Sequence, residues 1–149
     1  MNLFDQITDD IKAAMLAKDP IKLDALRGIK KEFLEAKTAK GGDGELTDET
    51  ALKIITKMVK QRKDAAGIFA EQNRPDLAEK ELAEVAAILP YLPQQLSETE
   101  LENSIKKIIA ETGAEGAKDM GKVMGVASKQ LSGKAEGRLI SEVVKRLLA

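Results

Sequence analysis

Apolar residues recur at helical spacing along nearly the whole of this chain, and that period leaves no obvious place for a sheet. Leu3, Ile7, Ile11 and Met15 open the series and predict a first helix. Asp19 followed by Pro20 reads as the N-cap and first position of a second helix, with Leu23, Leu26, Ile29, Phe33 and Leu34 on its apolar face. Gly41–Gly44 reads as a loop. Thr47 then caps a long third helix, with Asp48 and Glu49 in its first turn, where negative charge suits the helix dipole. Ala51, Ile55, Met58, Ala66 and Phe69 share one face of it; Lys53, Lys57, Lys60 and Asp64 share the other. After the Asn73-Arg74-Pro75 break, a fourth helix carries Leu77, Leu82, Val85, Ile88 and Leu89 as its expected inward side.

Pro90 and Pro93 interrupt this pattern. Two prolines three apart cannot occupy one helix interior, so a boundary and a hinge are expected here. Beyond them, Ser97-Glu-Thr-Glu100 has the form of a capping box opening a fifth helix on Leu101, Ile105, Ile108 and Ile109, with Gly113 at its end. A sixth starts near Asp119, with Met120, Val123, Met124, Ala127 and Leu131 on one side. Ser132–Gly137 reads as a loop, and Leu139, Val143, Val144 and Leu147 mark a seventh helix. The expected fold is all-α: an N-terminal four-helix module over residues 1–92, then a small C-terminal three-helix module over 93–149.

What is missing narrows the chemistry. The chain has no His and no Cys, which removes Ser-His-Asp triads, Cys-His pairs and Cys/His zinc sites. Acid–base work would fall to carboxylates, Lys or Tyr91. With no Trp, one Tyr and three Phe, an aromatic platform for stacking bases is not expected. No apolar run approaches the ~20 residues of a membrane span. The acidic start carries no secretory signal pattern, and with no disulfide framework a cytoplasmic location is expected. Charge is uneven: Asn103–Ala149 holds nine Lys/Arg against five Asp/Glu, and residues 1–102 hold 15 against 20. A mildly basic tail permits contact with nucleic acid.

Several motifs compete with plain structural readings. Gly116–Lys122 fits G-x-x-x-x-G-K, but Val123 follows where a phosphate-binding loop needs Ser or Thr, and no strand precedes it. On a helical wheel Lys118, Lys122 and Lys129 share a face opposite Met120, Val123 and Leu131, bordered by Gly121 and Gly125, where a backbone could approach. A helix start with lysines beside it suits phosphate oxygens. The carboxylate pairs Asp9/Asp10 and Asp48/Glu49 read as helix caps or outer-face charges, and the Lys53/Lys57/Lys60 stripe as solvated surface. Two charges break the apolar faces: Arg62 on the third helix and Glu81 on the fourth. Buried charges need partners, so the two are expected to pair inside the N-terminal module.

Three stretches, Val59–Ala65 (VKQRKDA), Tyr91–Ser97 (YLPQQLS) and Lys118–Gly125 (KDMGKVMG), resemble the GatB/YqeY family, in the order and spacing of a stand-alone YqeY-like protein. The likeness covers nearly the whole chain; it departs at Ala65 and Ala66, where a Ser is common. It implies two helical modules, the second similar to the tail of the B subunit of tRNA-dependent amidotransferases. That enzyme converts Glu or Asp attached to tRNA into Gln or Asn, and its tail touches the outer corner of the tRNA without performing chemistry.

The resulting expectation is a tRNA-binding accessory protein, with Lys118, Gly121, Lys122, Gly125, Lys129, Lys134 and Arg138 as the RNA-contacting residues. No catalytic residue, cofactor, metal or membrane partner is expected. An enzyme that handles aminoacyl-tRNA is a further candidate partner. The main alternative is a protein-interaction adaptor for a translation enzyme. A weaker one is a non-catalytic part of a carbon–nitrogen ligase that takes glutamine as amido donor.

Overall fold

Among the described residues, four of the seven α-helices begin on a side-chain cap, supplied by Asn2, Asp19, Thr47 and Ser97. In the computed structural model, which describes residues 2–39 and 44–149, all regular structure among those residues is helical. Of the expected Gly41–Gly44 loop, only Gly44 lies within the described residues. The helices are α1 (Leu3–Leu16), α2 (Pro20–Thr38), α3 (Asp48–Glu71), α4 (Pro75–Ile88), α5 (Glu98–Thr112), α6 (Met120–Gln130) and α7 (Gly137–Leu148). Two 3₁₀ turns, Leu89–Tyr91 and Ala117–Asp119, follow α4 and precede α6. The chain divides into two compact units, Met1–Leu92 and Pro93–Ala149.

In the first unit, three side chains satisfy helix-start N–H groups that would otherwise be left open. Asn2 accepts from Asp5 N at 2.9 Å, Asp19 from Lys22 N at 3.1 Å, and Thr47 from Thr50 N at 3.2 Å. Pro20 and Pro75 occupy first helical positions, where no N–H is needed. The core is almost wholly aliphatic. Ile7, Leu26, Ile29, Ile55 and Ile88 are completely buried around Phe33, the largest buried side chain. α3 and α4 form a helical hairpin, and α2 packs on α1, α3 and α4.

Leu34, Leu82 and Leu139 differ from expectation. All three are exposed. On α4 the buried face runs through Ala78, Val85 and Ile88, about 70° round the helix from Leu82. On α7, Ile140 takes the buried position expected of its neighbour Leu139.

The buried charge of α3 also chooses a different partner. Arg62 Nε lies 3.4 Å from Glu84 Oε2, not beside Glu81. Register explains the change. Arg62 stands eleven residues before the turn residue Asn73 and Glu84 eleven after it, so the hairpin brings them level. Glu81 lies three residues, roughly 4.5 Å, short of that level. The pair is largely buried, with 18% and 13% of the two side chains exposed. Its geometry is loose: Arg62 Nη1 donates to Met58 O at 3.4 Å, while Nε is buried without a hydrogen bond. The guanidinium also lies against α2, where a Cβ built on Gly28 would stand 3.3 Å from Nη2.

The first unit ends on the Leu89–Tyr91 turn. Tyr91 Oη donates to Asp10 Oδ2 at 2.5 Å, and Leu92 is buried in the core. Partial burial, then the Asp10 carboxylate, raises the Tyr91 phenol above its ordinary range. Asp10 had read as a helix cap or outer-face charge; it instead sits mid-helix and ties α1 to this turn.

The second unit starts from the capping box. Glu100 N donates to Ser97 Oγ, and Ser97 N donates back to Glu100 Oε1, both at 3.1 Å. The backbone bond from Ser97 holds the Glu100 carboxyl below its usual range. Gly113, at φ +69°, ends α5 in the left-handed conformation that a side chain resists. Ile105, Val123, Ala127 and Val144 are completely buried at the centre, and α5, α6 and α7 all contribute to the core. Glu102 lies 3.4 Å from Lys106 on its own helix and 3.6 Å from Arg146 on α7. Those cations, Lys106 first, lower its carboxyl.

Removing either Arg62 or Glu84 leaves a mostly buried charge alone. Arg62→Ala and Glu84→Ala are each expected to lower unfolding stability by about 2–4 kcal/mol, and Glu81→Ala by under about 1. The paired Arg62→Met, Glu84→Leu protein should recover most of that loss in a urea titration. Tyr91→Phe is expected to cost about 1 kcal/mol at pH 7. The raised phenol makes the native state prefer the protonated form. Its contribution is therefore complete below the unfolded tyrosine pKa, roughly 10, and is lost as pH rises through the higher folded value. The stability gap between wild type and Tyr91→Phe should narrow above pH 10.

Candidate nucleic-acid interface

α6 owes its orientation to five aliphatic contacts and its outer surface to what those leave over. Val123, Ala127 and the following Leu131 are buried, and Met120 and Met124 pack beside them. At 100° per residue, Lys122 and Lys129 of α6 then fall about 20° apart on the other side, with Gly125 and Gly121 next to them. These four residues and Lys118 are exposed. Lys118 belongs to the 3₁₀ turn, Lys122 to the first turn of α6 and Lys129 to its last. Lys122, Lys129 and the two glycines thus share the outer side of α6, and Lys118 is exposed in the turn that leads into it.

Lys134 and Arg138 belong to the adjoining stretch. Lys134 is exposed in the turn after α6, where its backbone is held twice: its carbonyl accepts from Leu96 N, and its N–H donates to Leu131 O, both at 2.9 Å. Gln95 Nε2 reinforces the same turn by donating to Gly133 O at 2.6 Å, and Gly133 sits at φ +75°. Arg138 is in the first turn of α7 and donates to Glu142 Oε1 at 3.2 Å, so its charge is partly met within the chain.

Counter-charge separates this surface from the other basic stripe. On α3, Lys53 pairs with Glu49 at 3.4 Å and Lys60 with Asp64 at 2.7 Å. Among the described residues, Lys118, Lys122, Lys129 and Lys134 have no carboxylate within 4 Å. α6 also lacks a side-chain cap. Asp119, at its N-cap, accepts from Glu115 N at 2.9 Å instead. The Ala117–Asp119 turn runs into α6, and Ala117 O accepts from Met120 N, so what this helix start offers an anion is chiefly the positive charge of the lysines beside it.

The glycines bear on the same surface. A Cβ at Gly121 or Gly125 would meet nothing within 4 Å, so no contact inside the chain requires them. Within a helix, glycine is less favourable than alanine by roughly 0.5–1 kcal/mol. Gly67 in α3 is equally unobstructed, whereas Gly28 is the position where a Cβ would press on Arg62.

A second basic face went unread in the sequence. Arg27, Lys30 and Lys31 on α2 border a shallow groove of about 360 Å³ with Leu34, Glu35 and Thr38. None of the three cations has an ion-pair partner among the described residues. Their spacing of three and four residues was the available signal. Lys37, further along the helix, stands 4.2 Å from the centre of the Phe4 ring.

Residues 4–148 match the family described as Yqey-like protein, and the chain belongs to that family. Among curated proteins it is similar to three yeast proteins, each named Altered inheritance of mitochondria protein 41, mitochondrial. The protein of Lachancea thermotolerans is 35% identical over 109 residues, covering 68% of this chain and 55% of the relative. That of Vanderwaltozyma polyspora is 33% identical over 122 residues, covering 74% and 63%. That of Saccharomyces cerevisiae is 33% identical over 103 residues, covering 67% and 55%. The matched region spans a little over half the length of these relatives.

Gly125→Ala is expected to stabilise the protein by about 0.5–1 kcal/mol, because the added methyl enters open space in a helix interior. Thermal unfolding followed by circular dichroism measures this directly. A loss of stability would mean that an unseen internal contact requires the glycine.

Proposed function

We propose that this member of the Yqey-like family is a tRNA-binding accessory protein without catalysis of its own. In this reading, four N-terminal helices form one module and three C-terminal helices form another. The second carries the RNA contacts and meets the outer corner of the tRNA. The observation that supports it most is the unpaired lysine face of α6, with Lys118, Lys122 and Lys129 beside two exposed glycines. The lysines would meet phosphate oxygens, and Gly121 and Gly125 would let the RNA backbone come close. Lys134 and Arg138 would extend the contact. Tyr91 hydrogen-bonds Asp10 and is not set out for stacking, so recognition would rest on backbone shape more than on base identity. The site of action in this reading is the cytoplasm.

A second reading has its own observation. The α2 groove, with Arg27, Lys30 and Lys31 around the half-exposed Leu34, suits an acidic protein surface, and favours an adaptor for a translation enzyme.

The test is a tRNA-binding titration over a salt series. Three to five phosphate contacts give a log–log slope of about −2 to −4.5. Changing Lys118, Lys122 and Lys129 together to Ala should weaken binding and flatten the slope without lowering the melting temperature. Changing Lys53, Lys57 and Lys60 should have little effect. Gly125→Ala should weaken binding although it stabilises the fold, while Gly67→Ala leaves binding unchanged. Absence of tRNA affinity at low salt, or loss of it in the α3 triple variant alone, would turn the conclusion to the adaptor.

A further inference from the structure

The corner between α1 and α2 concentrates apolar side chains in solvent. Met15 is 53% exposed, Leu16 86% and Ile21 39%. These are three of the seven exposed large hydrophobic residues among the described residues, and they fall within seven consecutive positions. Leu16 is the last residue of α1, and Ile21 follows Pro20 at the start of α2. The chain reverses between them through Lys18, at φ +55°. No core position calls for these side chains: the buried residues nearest in sequence are Ala14 and Ala25.

Cations surround that tip, one on each segment. Lys12 lies three and four residues before Met15 and Leu16, which puts all three on one face of α1. Lys18 is in the turn and Lys22 in the first turn of α2. All three are exposed, and none has an ion-pair partner among the described residues. Asp19, in the turn itself, directs its carboxylate to Lys22 N as a helix cap, and the exposed Asp9 and Asp24 stand further from the tip on α1 and α2.

We propose that this corner docks on an anionic lipid surface. Met15, Leu16 and Ile21 enter the boundary between headgroups and acyl chains, while Lys12, Lys18 and Lys22 meet headgroup phosphates. An apolar tip ringed by lysines is what such a boundary rewards. Charge selects this occupant over a second copy of the chain. A symmetric contact through the tip would bring the lysines of one copy against those of the other. A plane of negative charge meets the lysines of α1, the turn and α2 at once. The contact is interfacial; no helix of the described residues is long and apolar enough to cross a membrane. The expectation of no membrane partner rested on span length and does not bear on such a contact.

The experiment is co-sedimentation of the full chain with vesicles of phosphatidylcholine alone or mixed with phosphatidylglycerol. Binding is expected with the mixed vesicles and not with the neutral ones. A lysine near the surface changes partitioning roughly fivefold, so Lys12→Gln, Lys18→Gln, Lys22→Gln together should lower it about a hundredfold. Leu16→Glu should abolish it. Because Leu16 is almost fully exposed, that variant and Leu16→Ser should melt as wild type does. The Lys118, Lys122, Lys129 triple Ala variant should pellet as wild type, which separates this contact from the RNA face. No binding to mixed vesicles at low salt, equal binding to neutral ones, or full binding by Leu16→Glu would overturn the proposal. So would a concentration-dependent dimer that Leu16→Glu dissolves, since the tip would then belong to a second copy.

Discussion

One guanidinium limits how the N-terminal helices can pack. Arg62 stands on the otherwise apolar face of α3, and the hairpin turn carries Glu84 to its level on α4. Sliding α4 by one turn would separate the charges and leave both largely out of water, at a cost of several kcal/mol. An aliphatic core has no comparable preference. Ile, Leu, Val and Ala can interdigitate in neighbouring registers for small differences in energy, and Phe33 is the one aromatic ring wholly buried there. The ion pair therefore supplies specificity that the core lacks. Gly28 belongs to the same arrangement, because a side chain there would press on the guanidinium from α2.

Much of the local structure was legible in the sequence, because caps and turns are set by residues a few positions apart. Asp19-Pro20, Thr47, Ser97-Glu100 and Gly113 each begin or end a helix through bonds local in sequence. The α6 face was legible for the same reason, since a wheel needs only the period. What escaped notice depends on distance in sequence. Choosing Glu84 over Glu81 requires the hairpin register, and the wheel alone favours Glu81, which lies closer to the centre of the apolar face. Asp10 and Tyr91 are 81 residues apart, and no local pattern joins them. Leu34, Leu82 and Leu139 sit at the edges of their apolar faces, where neighbouring helices decide between core and solvent.

The Tyr91–Ser97 stretch shows what a short motif can do without chemistry. Tyr91 hydrogen-bonds α1, and Leu92 closes the first core. Gln95 and Leu96 fix the turn before α7 in the second unit, and Ser97 caps α5. Seven residues thus serve both units in turn. Pro93 separates the two sets of contacts at a position that cannot continue a helix. In a chain without disulfides, these bonds tie the ends of each unit into its own helices.

The surface divides by whether charge is met within the chain. Exposed ion pairs contribute roughly 0–1 kcal/mol at most, so the pairs on α3 matter less for stability than for what they conceal. Glu49 and Asp64 meet Lys53 and Lys60 on that face, and only Lys57 of the stripe has no carboxylate partner among the described residues. The α6 lysines, the α2 cations and the α1–α2 corner keep their charge available. A net charge of −1 would suggest no attraction to a polyanion. At ordinary ionic strength, however, fields die away over about 8–10 Å. An anion at the α6 face therefore senses the nearby lysines far more than the acidic residues elsewhere, and local arrangement outweighs net charge.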